Sequence, residues 1–319
     1  MKVLFIIILL ILLFYFTESH LKVDMVFTYV DGNDPAFIKK KRYYKGEDRF
    51  NPEIRHKNIN EIYYSVLSVI KFIPWINKIY IVTDNQIPPI DKKLLDSGKV
   101  KIISHEQIIP QKYLPTFNSD VIESFLHNIP ELSEVFLYNN DDNMHLDYVQ
   151  VKDIYGYRGN NIIFNVKNEI TPCKIKFFAS QKNPNEYIQR LLLTVMVLKN
   201  IDPNIILVNN HHTKILRKST MKYIENKYYF LLDHMRQNKF RGNNYIQYLL
   251  FLITIDNHIH KNKLSKNFKD VIELHFEKNY YNGVFDDIYI KKYKFVCLNS
   301  MNFSYRDPFY KLMEYKLNN

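Results

Sequence analysis

The chain has 319 residues, 46% of them hydrophobic, which is enough to bury a sizeable core as one large domain. With 25 Tyr and 22 Phe against 7 Gly, it is neither a disordered chain nor one built on glycine-rich loops. A net charge of +11 suits nucleotide phosphates, an anionic glycan or a membrane surface, but the lysines are scattered and no nucleic-acid-binding motif is present, which sets nucleic acid aside.

In chain order, Lys2 precedes a uniformly apolar run over 3–16. At ~1.5 Å per helical residue this run falls short of a ~30 Å hydrocarbon core, so residues 1–19 are expected to be a signal peptide cut after Ser19, or a signal anchor. That predicts the secretory pathway, or membrane association through the N-terminus, for a single domain over 20–319. A strand at 26–30 ends in Asp31-Gly32, and Asp34-Pro35 opens a helix that carries Lys39-Lys40-Lys41-Arg42. Ile62, Val66, Val69 and Ile70 predict a helix over 60–72 capped by Asn60 and ended by Pro74-Trp75. Strands at 79–83 and 100–104 end in Asp84 and His105. Ser119 opens a predicted helix over 119–127, with Val121, Ile122, Phe125 and Leu126 on one face. A strand at 135–138 then ends in Asn139-Asn140-Asp141-Asp142.

Beyond it, strands are predicted at 162–166 and 205–208 and helices at 187–198, 220–234 and 245–255, a helical subregion of about 185–260. A last strand at 295–298 ends in Asn299-Ser300. This alternation predicts an α/β fold, a mostly parallel sheet with crossover helices and a helical insertion in the second half. Two cysteines, Cys173 and Cys297, exclude a disulfide framework; they either pair or stand as buried thiols.

In open α/β sheets the ligand crevice lies outside the carboxyl ends of the strands. A polar loop capping the next helix would explain one Asp-Asp pair on local grounds alone. Five strands that each end in polar, mostly ionisable groups predict the rim of one site. Asp141 and Asp142 are placed there to hold a metal that clamps phosphate oxygens. Glu123 and His127, four apart, share a helical face, with an ion pair between them as the plain alternative to a role in the site. His211 and His212 point in different directions, so they do not ligate one metal together; one of them is a candidate acid, base or phosphate donor. Arg241 offers a planar fork to a phosphate, against an ordinary salt bridge.

VDMVFTYVDGNDP, PWINKIYIVTDNQIP, KIISHEQIIP, LPTFNSDVIESFLHNIPELSEVFLYNNDD and FVCLNS together resemble the ordered blocks of the Stealth family of sugar-phosphate transferases. The resemblance implies a nucleotide-sugar donor whose sugar-1-phosphate moves to a hydroxyl of a carbohydrate acceptor, giving a phosphodiester and nucleoside monophosphate. It implies Asp142, His211, His212 and Arg241 as catalytic residues. Substrate contacts would come from Asp31, Asp34, Asn118, Ser119, Glu123, His127 and Asn140, and a divalent metal (Mg or Mn) would sit on Asp141 and Asp142. Tyr63 and Leu67 stand where relatives usually carry arginine, and Ser300 where they tend to carry aspartate. Two alternatives stay open: a conventional glycosyltransferase releasing nucleoside diphosphate, and a glycan-binding relative without catalysis.

Overall fold

The structure is a computed structural model that describes residues 22–46, 60–154, 164–165, 170–207, 213–262, 264–265, 271–275, 293–299 and 306–319. The N-terminal segment 1–19, His211, His212 and Ser300 lie outside the described residues. In chain order the strands are β1 (Val23–Thr28), β2 (Ile79–Thr83), β3 (Val100–Ser104), β4 (Val135–Asn140), β5 (Asn143–His145), β6 (Phe164–Asn165), β7 (Lys214–Arg217), β8 (Leu264–Ser265), β9 (Val271–His275) and β10 (Phe295–Asn299).

The main sheet runs β3-β2-β1-β4-β7. Its first four strands are parallel, with Met25 opposite both Ile79 and Leu137. The carboxyl ends of β1 to β4 therefore share one edge. β7 is antiparallel to β4, pairing Tyr138 with Lys214, so its amino end comes to the same edge. As in other parallel sheets covered on both faces, the central strands are mostly apolar: Val23, Met25, Val26 and Phe27 of β1 are buried, as is all of β2. At the opposite edge, buried Asp24 accepts from Asn77 Nδ2 (2.8 Å), Lys78 N (3.0 Å) and Ser133 N (2.8 Å), tying together the entries to β2 and β4. A second sheet, β5-β10-β9, continues from the end of β4, and β6 pairs with β8.

The expected mostly parallel α/β architecture is present, with differences in detail. The segment 119–127 is not one helix. It forms an α-helix over Ser119–Glu123 and a 3-10 turn over Leu126–Asn128, and its cap is Asn118, which accepts from Asp120 N (3.2 Å). Asp120, Glu123 and His127 are all buried and drawn to different partners, so no solvated face remains to carry a continuous amphipathic helix. Asn60 does precede the helix Glu61–Phe72, but with φ 65° and no capping side-chain bond.

Residues 205–207 are not a strand. Ile205 and Leu207 pack into the core as an apolar run without a ladder partner. The expected helix over 220–234 is two, Lys218–Lys227 and Tyr229–Arg236, broken at Tyr228, whose ring meets Phe251 edge-on at 5.3 Å. Helices Glu186–Ile201 and Tyr248–His260 cover the other two predicted in this region. Neither cysteine is in a disulfide; Cys297 is buried and Cys173 exposed.

Candidate functional site

At the carboxyl edge of the sheet a cavity of about 470 Å³ opens. Each parallel strand contributes to its wall: Thr28 from β1, Asp84 after β2, His105 after β3, and Asn140, Asp141 and Asp142 at the end of β4. Phe37, Lys41 and Lys45 also line it, from one face of the helix Pro35–Lys45 at successive steps of four residues. Phe117, Ser119, Phe240, Arg241 and the carboxylate Glu186 make a second group of lining residues.

This second group is held by long-range hydrogen bonds. Phe117 N donates to Lys239 O (2.7 Å), while Asn118 Nδ2 donates to Asn238 O (3.2 Å) and Tyr245 Oη (2.8 Å). Phe117 and Phe240 consequently stack, with centroids 5.1 Å apart and planes at 8°, and Phe37 meets Phe117 edge-on at 5.7 Å. Arg241 Nη2 donates to Ser119 Oγ at 2.5 Å, so the exposed guanidinium is fixed at the mouth. Aromatic planes beside lysine and arginine make a surface suited to an anionic ligand that carries a flat ring.

The strand-end side is acidic. Asp142 accepts from Asn143 Nδ2 (2.8 Å) and faces the Cys297 thiol (3.9 Å). Burial pushes its carboxyl up to about 6, partly opposed by Lys214. Asp141 is raised well above the usual carboxylate range, first by burial and then by repulsion from Asp142 and Glu61. A cation between the two carboxylates would reverse both effects. Among the described residues no group of three or more His, Cys, Asp or Glu is placed to hold a metal ion. Two carboxylates are a partial donor set for an oxygen-seeking divalent ion such as Mg²⁺, whose shell water and ligand phosphates would have to complete.

Asp84 is clamped by Lys40 Nζ, 2.8 Å from both oxygens. Beside it His105 is buried, its Nδ1 has no hydrogen-bond partner, and burial lowers its pKa to about 4, leaving a neutral imidazole on the cavity wall.

Of the expected site residues, Asn140, Asp141, Asp142, Ser119 and Arg241 come together here. Others do not. Asp31 and Asp34 close their own loop: Asp31 Oδ1 accepts from Asn33 N (2.9 Å), and Asp34 caps the next helix through Ala36 N (2.8 Å). Gln86 locks the loop, accepting from Asp31 N (2.8 Å) and donating to Asp34 Oδ2 (3.0 Å), a bond that lowers the Asp34 pKa. Asn118 is fully buried scaffold. Glu123 and His127 neither line the cavity nor pair: Glu123 accepts from Tyr138 Oη (3.0 Å), and His127 Nε2 meets Glu225 at 2.7 Å.

Tyr63 and Leu67 do not line the cavity either, whose described cations come from Lys41, Lys45 and Arg241. Lys41 and Lys45 were legible in the Phe37-Lys41-Lys45 spacing. Lys214, which acts electrostatically on both Asp142 and Glu123, had no local signal.

Residues 21–49 match Stealth protein conserved region 1 and residues 55–163 match conserved region 2. The chain belongs to the Stealth family. This Stealth chain is 38% identical over 242 residues to a capsular polysaccharide phosphotransferase of Actinobacillus suis, covering 72% of this chain and 63% of that protein. It is 48% identical over 129 residues to the capsular polysaccharide phosphotransferase LcbA of Neisseria meningitidis, covering 39% and 35% of the two chains. Against the Actinobacillus relatives it spans 63–65% of their length. Galactosyltransferase LgtC, solved with donor and acceptor sugar analogs, aligns with 92% of this chain and 96% of its own at 8% identity and a TM-score of 0.44.

Proposed function

We propose that this Stealth chain transfers a sugar-1-phosphate from a nucleotide sugar to a hydroxyl of an acceptor glycan. The observation that carries this is one cavity lined both by an acidic pair and by stacked aromatics, two lysines and an arginine. The acceptor oxygen forms a bond to the donor's β-phosphorus. The bond from that phosphorus to the oxygen bridging it to the α-phosphate breaks, and nucleoside monophosphate leaves with the electron pair.

Phosphoryl transfer needs placement and positive charge on the phosphate oxygens more than covalent chemistry from the protein. Phe117 and Phe240 pack the nucleobase, while Arg241, Lys41 and Lys45 offset phosphate charge. Asp141 and Asp142 would hold a Mg or Mn ion, which supplies further neutralisation of the diphosphate when bound. His211 or His212 takes the proton of the attacking hydroxyl. The apolar run at 3–16 directs the chain into the secretory pathway or to a membrane; no helix among the described residues is long and apolar enough to cross one.

Incubating the protein with nucleotide sugars, Mg²⁺ and an acceptor glycan should release nucleoside monophosphate. Release of nucleoside diphosphate would mean that the sugar alone moves. Removing the Arg241 guanidinium (Arg241→Ala) should lower kcat/KM for the donor about 10- to 100-fold, the scale of one or two charge-assisted hydrogen bonds. An unchanged kcat/KM would take Arg241 out of the phosphate site.

A further inference from the structure

The cavity wall carries a fourth carboxylate besides Asp84, Asp141 and Asp142. Asp84 is clamped by Lys40, and the charge of Asp142 is opposed by Lys214. Glu186 lines the same cavity, and no hydrogen bond or ion pair among the described residues takes up its carboxylate. Arg241, a cation on the same wall, donates to Ser119 Oγ instead. The first turn of a helix favours a glutamate, which accounts for the residue type but not for its place on the wall.

That place follows from how the helix Glu186–Ile201 is anchored. Glu186 and Arg190 are four apart and share one face. Arg190 pairs with Asp120 of the helix Ser119–Glu123, which is itself tied to β4 where Tyr138 Oη donates to Glu123 (3.0 Å). Glu186 therefore stands one turn beyond the anchor, at the β4 end of the cavity, where Ser119, Ile122 and Arg241 also line it. The other end lies over β2 and β3, whose strand ends supply Asp84 and His105. In the order β3-β2-β1-β4 those ends are three strand spacings apart, about 14 Å. A cavity of about 470 Å³ is on the scale of one bound small molecule, so a single extended ligand reaches both ends.

A carboxylate only accepts hydrogen bonds and repels phosphate oxygens, so its ligand must present donors. With the diphosphate held between Arg241 and the acidic pair, the donors beyond it are the hydroxyls of the sugar. We propose that Glu186 is a specificity-determining residue that accepts hydrogen bonds from hydroxyls of the sugar to be transferred. This rests on the proposed function.

Titration calorimetry of the full chain in Mg²⁺ buffer tests it. UDP-glucose, UDP-galactose, UDP-N-acetylglucosamine, dTDP-glucose and GDP-mannose are each compared with their own nucleoside diphosphate. At least one nucleotide sugar should bind the parent about tenfold or more tighter than its diphosphate, the scale of one hydrogen bond to a charged group. Glu186→Ala should erase that difference and leave the diphosphate affinity unchanged. Glu186→Gln, which keeps one acceptor oxygen, should retain part of it. Because the side chain is exposed, both variants should melt within about 2 °C of the parent. An equal loss for diphosphate and nucleotide sugar would assign Glu186 to the ribose and overturn the inference. So would an unchanged difference in Glu186→Ala, or a parent that binds diphosphates and gains nothing from any sugar. In these cases nucleotide binding persists and the transfer reading stands; a parent that binds no nucleotide would overturn both.

Discussion

Replacing Asp142 by asparagine should reduce turnover by about 10³-fold or more, because under the proposed function only Asp141 of the acidic pair is then left to organise charge at the reacting phosphate. The same change should not weaken the fold. The carboxyl is raised from 3.8 to about 6 in the folded chain, so the folded state binds its proton more tightly than the unfolded state. Stability is then lost as pH rises from about 3.8 through about 6 and stays lost above. At pH 7.5, Asp142→Asn should therefore match or exceed the parent in stability, by on the order of 2 kcal/mol, and the two should converge at low pH. Thermal melting at pH 7.5 and pH 4 checks the sign. Mg²⁺ should raise the Tm of the parent and have less effect on the variant. Retained turnover in the asparagine variant would move the phosphate cradle elsewhere.

Arg190→Ala should cost about 3–5 kcal/mol in urea unfolding, the scale of breaking a buried ion pair. Arg190 Nη1 donates to Asp120 Oδ2, both side chains being buried, and Asp120 Oδ1 also accepts from Tyr248 N (3.0 Å). Without the guanidinium, Asp120 is a buried charge with only neutral donors. A second replacement that removes this charge (Asp120→Leu) should recover much of the loss, since the pair offsets its own desolvation and little more. The effect should reach the site as well. Asp120 follows Ser119, which holds Arg241, so donor KM should rise before the fold fails. A destabilisation under about 1 kcal/mol would show that water already reaches the pair.

Much of the site's wall was readable along the chain. The runs that form β2 and β3 stop at Asp84 and His105, and β4 runs out through Asn140 into the acidic pair, because a polar group after an apolar strand can be solvated only at the sheet edge. Asp31 and Asp34 carried the same signal and yet face their own loop. What separates them from Asp84 is Gln86, whose side chain reaches back to Asp31 and Asp34, a choice of partner that no local pattern encodes. Glu123 and His127 failed for a related reason. The helix stops at Glu123 and resumes as a 3-10 turn, so spacing by four no longer puts the two on one face, and His127 turns to Glu225. Lys214 was invisible because β7 is short, and only antiparallel pairing with β4 brings it beside Tyr138.

Hydrophobic periodicity and strand-end chemistry, both properties of neighbouring residues, sufficed to determine the alternation of strands and helices, the parallel sheet and the acidic end of β4. Which polar groups share a cavity was decided only when the chain closed on itself. A buried donor or acceptor must find a partner wherever the fold supplies one, and Gln86, Glu225 and Arg190 reach theirs across 52 to 98 residues of sequence.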